Sequence, residues 1–410
     1  MMNVQSHRTR GICIAALVVA ALACETMNMS AVADDAKAIY VIGYMGVGQT
    51  SAEVAHVLGF ITPEGTLERY PDFGQVNQLS WVFGPQFDDG RRMLLTSFED
   101  VDVTKVRSGK VLTHDWIYDL VSGKVHEVLQ KNRPADQMRT HALLSGDTRV
   151  IATAIVGGEE RVFIMDLDGG NQVELTEAGG GFHYGLSLSN DQKRLAVHVT
   201  GGMPSFYNPG AYSINVLDVD TKKRVFVAGQ PEHLLFGPHW SPDDRYLVYL
   251  DCLHVQDPGH FRAALNVGRT DGLGQQAATP AQTHWFGTPY GSNMSEWSPD
   301  GKTITYTRLL PNSTRDMSQG GAQLCLLNPF SGAITELTTA EEGRWDFRAA
   351  WSPEGDKLSF TRVRTGGVRE LWIMDPDGSH QQRLTDGYQN KGADFSRWIR
   401  VSPREKEPSG

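Results

Sequence analysis

The chain has 410 residues, a formal net charge of −10, 43 glycines and 9 tryptophans, and 40% of it is hydrophobic. An acidic balance with no Lys/Arg stripe between aromatics excludes nucleic acid as an expected partner, and an anionic ligand would have to be met by local Arg or His rather than by a global field. Helix periodicity is almost absent beyond the N-terminus and no Pro/Ser-rich linker interrupts the chain, so one all-β unit is expected.

In chain order, residues 1–33 read as a secretory signal peptide. His7-Arg8-Thr9-Arg10 is a basic n-region, Gly11 to Cys24 an apolar core too short for a comfortable membrane span, and Ala31-Val32-Ala33 a small-residue cleavage site. Cleavage leaves Asp34 at the mature N-terminus. Lipidation at Cys24 is the alternative, although Ala21 stands where lipoprotein signals usually carry Leu. Either route exports the chain, to the periplasm or beyond, and neither makes it membrane-spanning. Residues 34–401 form the folded domain and 402–410 a polar tail.

Within 34–401 a strand-and-turn unit recurs, most plainly at Trp240-Ser241-Pro242-Asp243-Asp244, Trp297-Ser298-Pro299-Asp300-Gly301 and Trp351-Ser352-Pro353-Glu354-Gly355. The aromatic is read as opening an apolar strand that leads into a tight turn. Alternating runs such as Lys302 to Thr307 supply a partner strand. Second halves such as Val162 to Gly169 with Leu175-Thr176, and Leu371 to Gly378 with Leu384-Thr385, add two more strands. Repeats of roughly 45 to 57 residues built only from short strands are the mark of a β-propeller. Blades are expected to start near Phe83, His141, Tyr184, Pro238, Ser295 and Arg348. A seventh would join Ala393 to Ile399 with Ala38 to Ile42 and His56 to Ile61, closing the ring and removing two sheet edges. The expectation is therefore a seven-bladed propeller closed by its terminal strands; a six-bladed ring with an N-terminal appendage is the alternative.

Mapping polar residues onto this scheme places His141, His183 and His239 at the starts of innermost strands, and His254, Asp257 and His260 in a loop between second and third strands. His284 and Trp285 lie in a long loop with Tyr290 and Asn293, while Tyr184, Asp346, Arg348 and Asp394 reach matching points of other blades. A ligand site on that face is the expectation, because irregular loops on a rigid scaffold are where binding residues concentrate. His183 or His239 suits a base, Arg348 a carboxylate clamp and Tyr184 an acid. His141, His284, Trp285, Tyr290, Asn293, Asp346 and Asp394 are substrate-contact candidates, and His254, Asp257 and His260 metal-ligand candidates, imidazole and carboxylate suiting several divalent ions. His198 and His126 look ordinary. Cys252 and Cys325 sit in adjacent repeats on different strands and are expected as buried thiols. No zinc motif, phosphate loop, Gly-x-Ser-x-Gly elbow or His-Glu-x-x-His is present.

The Trp-Ser-Pro-Asp-Gly and Met-Asp-x-Asp-Gly…Leu-Thr repeats resemble the propeller of the TolB-like, WD40-like group of bacterial exported proteins over nearly the whole mature chain. The stretch from Gly237-Pro238-His239 through Asp257-Pro258-Gly259-His260 to Glu296-Trp297-Ser298 is similar in order and spacing to the oligogalacturonate lyases. That resemblance implies β-elimination on an acidic or oxidised carbohydrate, assisted by a divalent metal ion. Where that family places metal-binding histidines before two later blades, this chain has Ser295 and Asp346-Phe347-Arg348. A non-catalytic propeller binding a glycan or a cell-envelope protein is the second reading.

Overall fold

The computed structural model describes residues 39–47, 56–65, 68–69, 80–100, 105, 109–128, 132–144, 146–201, 212–231, 233–253, 262–279, 284–285, 295–314, 317–367, 369–385 and 392–402. Residues 1–38, which include the expected signal peptide, and residues 403–410 lie outside them. Among the described residues no helix is long and apolar enough to cross a membrane.

The chain folds as an all-β propeller built from antiparallel meanders. One meander runs through Ser80–Gln86, Arg92–Phe98, Thr113–Asp119 and Val125–Glu127, and the next through Met138–Leu143, Arg149–Val156, Glu159–Asp166 and Val173–Glu174. Phe182–Leu188, Arg194–Thr200, Ser213–Asp218 and Arg224–Gly229 make another, followed by His233–Trp240, Tyr246–Leu253, Arg262–Arg269 and Gln275–Ala277. Ser295–Trp297, Ile304–Leu309, Ala322–Leu327 and Ile334–Glu336 precede Arg344–Trp351, Leu358–Arg364, Glu370–Met374 and Gln382–Arg383. Gly392–Val401 then pairs antiparallel with Ile39–Val47, so that Val401 faces Ile39 and Gly392 faces Val47. His56–Ile61 and Glu68–Arg69 continue that sheet outward.

The repeated turn explains its own residue types. Ser241 Oγ donates to Asp243 Oδ1 at 2.6 Å and accepts the Tyr246 N–H at 3.0 Å, while the Ser241 N–H reaches the Tyr246 carbonyl at 2.8 Å. The same knot recurs at Ser189/Asp191/Arg194, Ser298/Asp300/Thr303 and Ser352/Asp356/Lys357. It seals each hairpin locally, without help from the core. One residue further on, Asp244 adopts φ 58° and accepts the N–H groups of Asn190 and Asp191 from the preceding meander at 2.8 and 2.9 Å. Trp240 Nε1 donates to the Ser187 carbonyl at 2.7 Å, tying the same two meanders together.

The tryptophan ends the first strand of its meander instead of opening it, as Trp240 and Trp351 do in His233–Trp240 and Arg344–Trp351. First strands accordingly begin at Ser80, Met138, Phe182, His233, Ser295 and Arg344, upstream of the expected starts except at Ser295. Cys252 and Cys325 are both buried and not joined in a disulfide.

Candidate functional site

First strands share a β-bulge. Register slips between Phe83 and Gln86, Tyr184 and Ser187, Phe236 and His239, and Phe347 and Ala350. In two of these bulges a glycine takes the left-handed conformation without steric cost, Gly185 at φ 60° and Gly237 at φ 56°. In the Arg344–Trp351 strand the same place is taken by Arg348 at φ 54°, 4% exposed, its guanidinium 6.0 Å from the Phe347 ring centre. An arginine held in that conformation stores strain that glycine would avoid.

His141, His183 and His239 are all first-strand residues, His183 beside the start of its strand and His239 beside the end of its own. His183 is fully buried; its Nδ1 lies 3.2 Å from the Glu160 carbonyl and Arg224 Nη2 lies 3.1 Å from its Nε2. Burial, with the Arg224 charge adding to it, holds its pKa below the ordinary imidazole value. His141 sits at the register slip of its own strand, with Nε2 2.7 Å from Thr153 Oγ1, and burial takes it down to about 3. His239 is 4% exposed. By register, His183 matches Leu235 of the next meander, so His239 lies four residues further along, about 13 Å at the usual strand rise. His183 and His239 are therefore not brought together at one strand end. His198, at the second strand, is buried, and burial lowers it to about 3 as well.

Asp346 is fully buried and already partnered. Arg362 grips it with two bonds, Nε to Oδ1 at 2.6 Å and Nη2 to Oδ2 at 2.8 Å, and stacks its guanidinium 4.4 Å from the Trp372 ring centre. Tyr184 pairs with His198 across the sheet, and Asp394 occupies a register slip in the C-terminal strand. His284–Trp285 form a two-residue strand pairing with Arg262–Ala263 on one side and Arg308 on the other, where a loop was expected. Tyr290, Asn293, His254, Asp257 and His260 lie outside the described residues. Among the described residues, no group of three or more His, Cys, Asp or Glu side chains is placed to hold a metal ion, so no metal step is derived.

Two polar groupings escaped the sequence reading. Glu160 and Arg139, 9% and 4% exposed, line a small cleft with Gln137 and Thr153; burial lifts the Glu160 carboxyl to about 7 against the opposing pull of the Thr153 hydroxyl and Arg139. The second is a diagonal chain across three strands. His233 Nδ1 lies 2.5 Å from Asp251 Oδ1, and Asn266 Nδ2 donates to Asp251 Oδ2 at 2.8 Å. No local periodicity announces either grouping, because each is assembled across strands.

No protein-family model matches the chain. An uncharacterized protein of Agrobacterium fabrum is 29% identical over 204 residues, covering 42% of this chain and 66% of that protein. The Tol-Pal system protein TolB of Gluconobacter oxydans is 47% identical over 45 residues, covering 11% of this chain and 10% of TolB. The matched segments thus span less than two thirds of either relative. Among solved structures, an oligogalacturonate lyase in complex with manganese aligns over 85% of both chains at a TM-score of 0.52 and 14% identity. A Mycobacterium tuberculosis puromycin-hydrolyzing peptidase aligns at a TM-score of 0.58 and 13% identity, over 92% of this chain and 56% of its own. These structural likenesses establish the fold alone. In repeats and fold the chain resembles the TolB-like propellers.

Proposed function

We propose that the chain is an exported, seven-bladed propeller that takes an acidic or oxidised carbohydrate at the mouth of its channel and cleaves it by β-elimination. The blade count divides the eight-stranded sheet into two blades and the 13-stranded sheet into three, beside two separate four-stranded sheets. Its support is that buried apolar clusters straddle consecutive units all the way round, the join of the chain ends included. Phe60, Phe83 and Ile399 share one cluster; Ile42, Leu371 and Trp398 share another. Export rests on the N-terminal signal pattern and on the TolB match.

Arg348 is the observation that carries the chemical reading. A guanidinium kept on a first strand at the cost of backbone strain suits bidentate capture of a carboxylate. Elimination also needs a base for the proton beside that carboxylate and an acid for the leaving oxygen. Tyr184 is the acid in this reading, and His141, His284, Trp285, Tyr290, Asn293 and Asp394 are sugar contacts. His183 or His239 is the base in this reading; both ring nitrogens of His183 face protein partners. His254, Asp257 and His260 are the residues in this reading that would hold a divalent metal.

The test is incubation with polygalacturonate, shorter uronate oligomers and oxidised glucans, following the near-ultraviolet absorbance of an unsaturated product. Turnover that is lost in Arg348→Ala, with folding intact, is the expected result. Saturable glycan binding without product would instead establish the second reading, a non-catalytic propeller for a glycan or envelope protein.

A further inference from the structure

Arg139, Thr153 and Glu160 share one sheet face. Arg139 stands opposite Thr153 on the neighbouring strand, and Thr153 stands opposite Val162, two residues beyond Glu160. Between the second and third strands the chain turns on Gly157 and Gly158, both left-handed at φ 64° and 83°, the conformation that a two-residue hairpin connection requires. The turn returns Glu160 to the end of the meander where Met138–Leu143 begins and Arg149–Val156 ends. There the three residues line a cleft with Gln137, Ile155 and Phe98, the last of these ending a strand of the preceding meander. At about 230 Å³ with its open mouth included, the cleft is below the usual pocket for a drug-sized ligand, about 300 Å³ and above. It suits one planar acid group rather than a whole sugar ring.

The polar lining is rich in donors. The Thr153 hydroxyl bonds the Glu160 carboxyl, with His141 Nε2 behind it at 2.7 Å. Gln137 accepts the Val111 N–H at its oxygen, at 3.4 Å, which leaves the amide nitrogen as its donor end. Burial outweighs the pull of Thr153 and Arg139 on the Glu160 carboxyl, so its proton is held up to about pH 7. At and below neutrality the cleft therefore presents a guanidinium beside a carboxylic acid, the pairing that meets the two oxygens of a carboxylate. Among the described residues no second carboxylate lines it. The other charged and titratable neighbours of Glu160 are engaged elsewhere: Glu159 and Arg161, on the opposite face of its strand, pair at 3.4 Å, and His183 of the next meander lies 3.2 Å from the Glu160 carbonyl, not its carboxyl.

We infer that this cleft is a binding subsite for a carboxylate, which Arg139 grips while Glu160 donates to its second oxygen. The inference concerns binding alone and does not rest on the elimination reading. Because two ionised carboxylates side by side repel, the ligand enters only with Glu160 protonated. An acid ligand is already ionised across this range, so its affinity is level below the Glu160 transition and falls above about pH 7, where each bound acid must bring a proton with it.

The experiment titrates galacturonate, acetate and neutral galactose into the full chain by isothermal calorimetry, using wild type, Arg139→Gln, Glu160→Gln and Arg348→Ala, with circular dichroism as the folding control. Support is binding of an acid but not of galactose at pH 6, weakened about tenfold or more in Arg139→Gln and kept in Glu160→Gln, whose amide still donates. Wild-type affinity should then fall by about tenfold between pH 7 and pH 8, while that of Glu160→Gln stays level. Tighter binding of galacturonate than of acetate identifies an acidic sugar as the source, and equal binding a free carboxylate; either supports the subsite. Acid binding left unchanged by Arg139→Gln overturns the inference, and if Arg348→Ala abolishes that binding the clamp of the elimination reading still stands. Absence of acid binding at pH 6 overturns the inference as well. Should both cleft variants misfold, wild-type titrations at pH 8 in two buffers of different ionisation enthalpy decide: uptake approaching one proton per acid bound supports the subsite, and no uptake overturns it.

Discussion

Arg348 and Gly237 occupy one position of the repeat: each lies three residues before the tryptophan that ends its strand, and their φ angles are 54° and 56°. A left-handed conformation costs a side-chain-bearing residue about 1 kcal/mol and glycine almost nothing. Arg348→Gly should therefore be more stable than Arg348→Ala by about 1 kcal/mol, although both remove the same charge. Gly185→Ala should lose a similar amount, because a Cβ there meets only ordinary contacts, the nearest at 3.5 Å from His198, and the backbone strain dominates. Urea midpoints of the three variants check this; equal stability of the Gly and Ala versions of residue 348 would contradict it.

Asp346 and Arg362 test whether a predicted contact residue serves the fold. Both are buried, at 0% and 8% exposure, and they share two hydrogen bonds. Removing one partner leaves the other charge uncompensated, so Asp346→Ala is expected to cost about 3 kcal/mol or more. A loss of ligand affinity with an unchanged unfolding midpoint would return Asp346 to the binding surface.

How much of this was legible beforehand depends on where the hydrogen bonds close. The Ser241–Asp243–Tyr246 knot spans six consecutive residues, so its repetition reads directly from the chain and announces the fold. The strand leading into it is less legible, because the Phe236/His239 slip breaks the two-residue alternation that marks a half-buried strand. Without that alternation Trp240 looks like a beginning, and His239 is assigned to the wrong end. Contacts such as Asp346–Arg362 and His233–Asp251 join residues of neighbouring strands through register alone, which composition and spacing do not encode.

Stability should depend on pH through buried groups of opposite sign. Burial raises Glu160 and Glu296 to about 7, so the folded state holds their protons more tightly than the unfolded chain does. Stability from these groups is present below the ordinary carboxylate range and is lost as pH rises toward 7. His141 and His198, lowered to about 3, act the other way: stability falls as pH drops below the ordinary imidazole value. Glu160→Gln removes one contributor to the first trend. Its urea midpoint, relative to wild type, should improve between pH 5 and pH 8 by the equivalent of on the order of 2 kcal/mol; a pH-independent difference would show that Glu160 is ionised in the folded protein.

Trp398 links the last strand to the rest of the molecule. Its Nε1 donates to the Ala350 carbonyl at 3.1 Å, the contact that Trp240 makes with Ser187, and its ring packs with Ile42 and Leu371. Trp398→Phe keeps most of the apolar contact and removes the indole donor from that carbonyl, which keeps only Ser359 Oγ at 3.5 Å, for a cost of about 1 kcal/mol. Trp398→Ala also opens a cavity and should cost about 3–5 kcal/mol. If the terminal strands close the ring, removal of residues 392–410 should do more than either substitution, because Ile39–Val47 would lose its whole partner strand and present a free edge. Static light scattering should then show association of the truncated chain while Trp398→Phe stays monodisperse at the same temperature, and a truncated chain that stays dispersed with an unchanged unfolding midpoint would mean that the C-terminal pairing contributes nothing to closure.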